Sequence, residues 1–407
     1  MSQQFVFSGM GSVAMHTATH NNAEFSHITP IYATSTFVFD TAEQGMERFA
    51  SKDKENIYSR WGNPTFKVAE ETIAALEAFN IFNPDGSPLQ LKALLHASGQ
   101  AAMSTLFLGL LKQGDAVLSH YSLYGGTYEI MHKVLADAGI TTIIVDMRNP
   151  TEVATAIAAH PNIKLVHIET PANPTIQCVD IEAITQIAKQ HQLLVSVDNT
   201  FASPYLQQPF QYPVDFVFHS TTKFLNGHGS AIGGVLIGRD IELMKTKLWK
   251  WHALLGGNAN PFDAYLLIQG IKTLEIRMQR HCENAMQVAL FLQQHPAIEQ
   301  VHYTGLTTHP DYEIAKKQMR HPGSMLSFEL KGGIEAGKTF INQLKMCVRA
   351  VSLGTVDTLV SHPASMTHMS VPKEERLKFG ITDGLIRMSV GIENIADIIA
   401  DLQQALA

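Results

Sequence analysis

Five short β-branched runs, separated by stretches with helical spacing, constrain this chain more than any other feature: AVLSH (116–120), TTIIVD (141–146), KLVHIE (164–169), LLVSVD (193–198) and VDFVFH (214–219). They are too uniformly apolar for strands with one wet face, so the strands they predict must be covered on both sides. The fold class that follows is α/β, with a parallel or mostly parallel sheet between helical layers. In such sheets ligands gather at the carboxyl ends of the strands. Glu169, Asp198 and the 219–223 stretch are therefore expected near one another at one mouth.

At 407 residues, 45% apolar and 16% charged, the chain is long enough for two cores. Residues 1–63 lack a complete βαβ unit and read as an extended arm, 64–263 as a large domain, and 264–407 as a smaller α+β domain. The last of these opens on one long helical pattern, in which Leu267, Ile271, Leu274, Met278, Cys282, Ala285, Ala289 and Leu292 recur at steps of three and four. NPDGSPLQLK (83–92) reads as a turn-rich insertion.

A net charge of −7 without any basic block leaves no electrostatic footprint for nucleic acid or an anionic membrane. The most apolar long window, 91–111, carries Lys92, His96, Ser98, Gln100 and Ser104, which is wrong for a membrane span. No secretory pattern opens the sequence, and the three cysteines form no CxxC pair, so a cytoplasmic setting is expected. Nineteen histidines without an HExxH pair point to no metal site. Small molecules and copies of the chain itself are the expected partners.

Lys223 sits in HSTTKFLNGHG (219–229), just where an apolar run ends, with Ser220 and Thr222 beside it. A lysine held partly out of water has a lowered pKa and can act as an amine nucleophile toward an aldehyde. The neighbouring hydroxyls suit an anion such as phosphate. Ser98-Gly99-Gln100 opens a strong helical pattern, whose N-terminal amides form a second anion site; a plain Ser98 N-cap is the competing reading. Asp198 closes its run 25 residues before Lys223 and is placed either to cap the next turn or to pair with a protonated ring nitrogen. An amine, hydroxyls, a glycine-started helix and a strand-end carboxylate together are what pyridoxal phosphate requires.

The chain also resembles the Cys/Met-metabolism family of pyridoxal phosphate enzymes. The resemblance rests on IYSRWGNPT (57–65), ASGQAA (97–102), LYGGT (123–127), ETPANPT (169–175), VDNTFASPYLQ (197–207), HSTTKFLNGHG (219–229), IKTLEIRM (271–278), VSLGTVDTLVSHPASMTH (351–368) and GLIRMSVGIE (384–393), in family order. It implies the fold of type I pyridoxal phosphate transferases and a homotetramer of two active-site-sharing dimers. It further implies that Lys223 bonds the coenzyme aldehyde, that Asp198 pairs with the ring nitrogen, and that Ser98, Gly99, Gln100, Ser220 and Thr222 hold the phosphate. Tyr124 would stack on the ring and help with proton transfer, while Tyr58 and Arg60 would reach a neighbouring subunit's phosphate. Arg387, with Ser352 and Asn173, would take the α-carboxylate of an amino-acid substrate.

Within that family, γ-elimination on a sulfur amino acid is expected. The apolar Ile57 and Val351 favour a small thioether, which makes the methionine γ-lyases the nearest resemblance. O-acylhomoserine sulfhydrylases and the cystathionine γ-synthases and γ-lyases are the alternatives. Gly126 departs from the γ-lyase pattern, which carries cysteine there. WKWH (249–252) carries no reading.

Overall fold

The five apolar runs become adjacent parallel strands in a computed structural model that describes residues 6–18, 22, 25–51, 55–367, 369 and 373–407. They are β2 (Ala116–His120), β3 (Thr141–Val145), β4 (Ile163–Glu169), β5 (Leu194–Asp198) and β6 (Phe216–His219). With β1 (Lys92–His96) and β7 (Gly234–Gly238) they form a seven-stranded sheet of order β1-β7-β6-β5-β4-β2-β3. Val117, Leu118, Val166, Val195, Val197 and Val217 have no exposed surface, as a sheet covered on both faces requires. Within this sheet β7 alone runs against the direction shared by the other six strands.

Two features of this sheet depart from the sequence reading. The run GHGSAIGG (227–234) carries no strand signal, yet its last residue begins β7; a Cβ on Gly234 would stand 2.3 Å from the Ser98 carbonyl oxygen. Close approach, not turn formation, explains that glycine. The connection into β6 also holds no full helix, only Ser203–Leu206 and a 3-10 turn at Pro209–Gln211. The turn-rich 83–92 segment is a tight reversal closed by a Phe82–Pro88 bridge, and it runs directly into β1.

The second sheet contains β8 (Ile298–His302), β9 (Met325–Leu330), β10 (Val348–Arg349), β11 (Leu359–Ser361) and β12 (Leu385–Ser389), in the order β10-β11-β12-β9-β8. It surrounds a separate core built on Phe328, Phe340, Ile386, Met388 and Leu402.

The long helical pattern is two helices, Pro261–Ile271 and Leu274–Gln294, and not one. At the break the Gly270 carbonyl accepts from the Thr273 N–H at 3.2 Å, from the Thr273 hydroxyl at 3.1 Å and from the Arg277 Nη2 at 2.8 Å, so a shorter backbone bond and two side chains take the place of the α-helical ladder there. The arm is likewise less extended than expected. Helix Met10–His16 buries Met10, Val13 and Ala14 in the large core against helix Pro64–Glu77. Farther along, Val38, Met46, Phe49 and Tyr58 stay exposed. Among the described residues no helix is long and apolar enough to cross a membrane.

Candidate active site

The carboxyl ends of β4, β5 and β6 meet a loop from the second sheet around a cavity of about 300 Å³. Its lining includes Lys223, Asp198, Glu169, Tyr124, Asn173 and Arg387, together with the Ser98–Gln100 turn, Ser220, Thr222 and Ser352. Eleven of the thirteen residues assigned a role from sequence therefore border one cavity. His368, which ends the matched 351–368 segment, lies outside the described residues.

Lys223 lies four residues past the end of β6, and its Nζ donates to the Ser352 hydroxyl at 2.9 Å. Burial, and secondly the positive charge of Arg387, lower its pKa to about 8, so the neutral nucleophilic amine is accessible near physiological pH. Arg387 stands in the middle of β12. Its Nη1 donates to Asn173 Oδ1 at 3.0 Å and its Nη2 to the Val351 and Ser352 carbonyls at 2.9 Å each. The Nε donor is buried and has no partner among the described residues, and burial lowers the guanidinium pKa to about 10. An orphaned donor on a buried cation marks a place for an anionic oxygen.

Asp198 ends β5 and accepts from the Thr200 N–H at 3.0 Å. Burial pushes its carboxyl above the ordinary range, against the Thr200 hydrogen bonds and the neighbouring His219. His219 is itself held at 2.5 Å from Glu77, whose other contact is the Asn199 amide at 3.1 Å. These buried side chains fix the ends of β5 and β6 against helix Pro64–Glu77.

Glu169 stands beside Asp198 in the ladder and was given a place but no role by the sequence. Its carboxylate accepts the Tyr124 N–H at 3.0 and 2.8 Å and the Asn173 N–H at 3.0 Å. Burial first, and then the charge of Asp198, raise its pKa above the usual carboxylate range. Two strand-end acids on adjacent strands were the available signal. Thr200 was missed as well; its hydroxyl accepts the Ser220 N–H at 2.9 Å and holds that loop.

The anion cradle is built from two chain segments. Ser98 is an N-cap whose hydroxyl accepts the Ala101 N–H at 3.1 Å, so its side chain takes the structural role. That leaves the Gly99 and Gln100 N–H groups at the open end of helix Gly99–Leu110. Gly99 lets this turn lie against Ser220, since a Cβ there would come within 3.2 Å of the Ser220 hydroxyl. The Thr222 hydroxyl is engaged with Gly233, donating to its carbonyl at 3.2 Å and accepting its N–H at 3.0 Å. Free amides and a hydroxyl that suit a phosphate, an amine that suits an aldehyde and a carboxylate that suits a ring nitrogen therefore border one cavity. The donor set thus suits pyridoxal phosphate.

Tyr58 and Arg60 are not brought to this cavity. Arg60 donates to the Ala253 carbonyl at 2.6 Å and lies over the Tyr58 ring at 5.5 Å. Among the described residues no group of three or more His, Cys, Asp or Glu is arranged to hold a metal ion.

Comparison with known proteins gives one consistent result. The family profile described as Cys/Met metabolism PLP-dependent enzyme matches residues 11–407. An L-methionine gamma-lyase of Fusobacterium nucleatum subsp. nucleatum is 48% identical over 400 residues, covering 98% of both chains. An L-methionine gamma-lyase of Porphyromonas gingivalis is 47% identical over 400 residues, covering 98% of this chain and 97% of the relative. Among solved structures, a cystathionine gamma synthase from Xanthomonas oryzae pv. oryzae, in complex with aminoacrylate and cysteine, superposes with a TM-score of 0.90 at 35% identity, covering 98% of each chain.

Proposed function

We propose, from the premise that this chain belongs to the Cys/Met metabolism PLP-dependent enzymes, that it is a methionine γ-lyase, converting L-methionine and water to methanethiol, 2-oxobutanoate and ammonia. The observation that carries this reading is that one cavity is bordered by Lys223, by a buried carboxylate receptor, Arg387 with Asn173, and by the apolar Val351. The high identity to L-methionine gamma-lyases supports it.

Pyridoxal phosphate, when bound, supplies the aldehyde that the lysine takes and a ring that draws electrons from the substrate's Cα. The chain's own groups do the rest. Arg387 and Asn173 bind the α-carboxylate and so set the position of Cα beside Lys223. The Lys223 amine moves the proton at Cα, a task suited to a base whose pKa is about 8. Asp198 would hold a proton on the ring nitrogen, while Glu169 fixes Tyr124 and Asn173 through their backbone N–H groups. The Tyr124 phenol gives its proton to the departing sulfur.

The boundaries 1–63, 64–263 and 264–407, a cytoplasmic setting and a homotetramer of site-sharing dimers complete the reading. The exposed Val38, Met46 and Phe49 on the arm favour a second copy covering them, with Tyr58 and Arg60 delivered to its cavity. The test is to supply methionine, cystathionine, homocysteine, and O-acetylhomoserine with and without sulfide, and to identify the products. Methanethiol and 2-oxobutanoate from methionine alone are expected. Sulfide-dependent homocysteine as the main product would overturn the assignment in favour of γ-replacement.

A further inference from the structure

Gly126, the second residue of the short helix Gly125–Glu129, has no need of glycine for its backbone angles, since its φ is outside the left-handed range. What it provides is room. A Cβ built there would lie 2.1 Å from Gln100 Nε2 and 2.5 Å from Tyr124 Cε1. The Gln100 side chain therefore fills the volume that a side chain at 126 would take, and it does so against the ring carbon next to the one that bears the phenol oxygen. Gln100 and Tyr124 both border the cavity that holds Lys223. No hydrogen bond of the Gln100 side chain occurs among the described residues, so its N–H₂ donors and carbonyl acceptor are uncommitted.

We infer that Gln100 is a specificity-determining residue which sets the polarity of the wall met by the substrate's γ-substituent. The inference rests on the proposed role of Tyr124: a leaving group must come to the phenol to receive its proton, so whatever flanks the phenol end flanks the leaving group too. A primary amide hydrogen-bonds an ester or ether oxygen well and a thioether sulfur poorly. The wild-type wall therefore favours a γ-substituent joined through oxygen more than an apolar wall of the same shape would. Its backbone N–H remains part of the anion cradle, and only the side chain is given this second role.

Gln100→Met keeps the length of the side chain and removes the amide. The decisive quantity is kcat/KM for methionine divided by kcat/KM for O-acetylhomoserine, both read as 2-oxobutanoate release without sulfide. Replacing Gln100 by Met is expected to raise this ratio about tenfold, the discrimination carried by one hydrogen bond to a substrate oxygen. A ratio within twofold of wild type, in an active enzyme, overturns the inference and leaves the proposed function standing. A wild-type enzyme that releases no 2-oxo acid from either compound sinks the proposed function, and the inference with it.

A second arm reads packing in the coenzyme-loaded protein. Gly126→Ala is expected to lower the melting temperature in the wild-type background and to lower it clearly less beside Gln100→Ala, where only the contact with Tyr124 Cε1 remains. An equal loss in both backgrounds shows that Gln100 does not hold the space at residue 126, and overturns the inference independently of turnover.

Discussion

The amine of Lys223 stands 2.9 Å from the hydroxyl of Ser352, joining the loop after β6 to the loop before β11. This places the reactive nitrogen at the seam of the two sheets, where burial and Arg387 together lower its pKa from 10.5 to about 8. The unfolded chain therefore binds more protons than the folded one between those two values. Stability should rise with pH through this window, and charged Lys223 should cost stability below it. In the coenzyme-free protein Lys223→Met is expected to be more stable at pH 7, by on the order of 1–3 kcal/mol, with the difference shrinking by about pH 11. Denaturant melts at the two pH values measure this. Acylation of Lys223 by a limiting anhydride, followed by peptide mass spectrometry, should show a midpoint near pH 8 against a later one for surface lysines.

Arg387 offers a planar fork whose Nη groups already hold Asn173 and two carbonyls. Arg387→Lys keeps the charge and loses the fork geometry. Binding of an amino acid through its carboxylate should weaken at least about tenfold, since each charge-assisted hydrogen bond contributes roughly 1.5–3 kcal/mol. The effect should fall mainly on KM. It is measured by steady-state kinetics and by titration with an unreactive amino acid such as norleucine. An unchanged KM would remove Arg387 from the binding site.

How much of this was legible depends on the kind of signal each residue gives. The apolar runs at 116–120, 164–169 and 193–198 determine buried parallel strands, and their ends bring Glu169 and Asp198 together, because strand ends in one parallel sheet share an edge. Gly234–Gly238 was illegible as a strand because its glycines answer to neighbours on other strands and turns, Gly234 to Ser98 and Gly238 to Phe216 as well as to the nearby Met244. The break at Gly270 to Thr273 was hidden for the same reason: the Asn226 carbonyl crowds Gly270, and Arg277 reaches back to its oxygen, neither of which leaves a mark on helical periodicity. The role of Glu169 lies in backbone N–H groups from Tyr124 and Asn173, and hydrogen bonds to the main chain carry no residue-type signature.

Asp198 is a buried acid whose pKa is raised, chiefly by desolvation. For such a group the folded state binds more protons, so stability is present at low pH and is lost as pH rises above the ordinary carboxylate value. Asp198→Asn should thus make the coenzyme-free protein more stable at pH 7 while lowering turnover on the order of a hundredfold, as removal of one preorganised charge from a reacting centre does. Thermal melts of the coenzyme-free protein and kcat of the reconstituted enzyme give the two readouts. A loss of stability at pH 7 would contradict the burial argument, and full turnover would contradict the pairing with the ring.

Glu169 separates positioning from charge. Glu169→Gln keeps one carbonyl oxygen for the Tyr124 N–H but cannot reproduce both oxygens, and kcat should fall about tenfold with the fold retained. Glu169→Ala leaves the Tyr124 and Asn173 N–H groups with no acceptor where Glu169 stood, at a cost of about 1–3 kcal/mol for each buried donor. The alanine variant should therefore melt well below the glutamine variant. Equal melting temperatures would show that these hydrogen bonds do not hold the site.

Tyr58 and Arg60 give the last test, because they lie outside the cavity of their own chain while Lys223 lies within it. If each cavity takes its anion-binding arm from a second copy, Lys223→Ala and Arg60→Ala should each be nearly inactive alone. Unfolding and refolding the two together should then restore activity. In a hybrid dimer one cavity would contain both damaged residues and the other neither, so about half of the hybrid's sites would be intact. Random pairing makes about half of all dimers hybrids, and the refolded mixture should recover roughly a quarter of wild-type activity. Activity no greater than the mean of the two variants would mean that the arm serves its own chain.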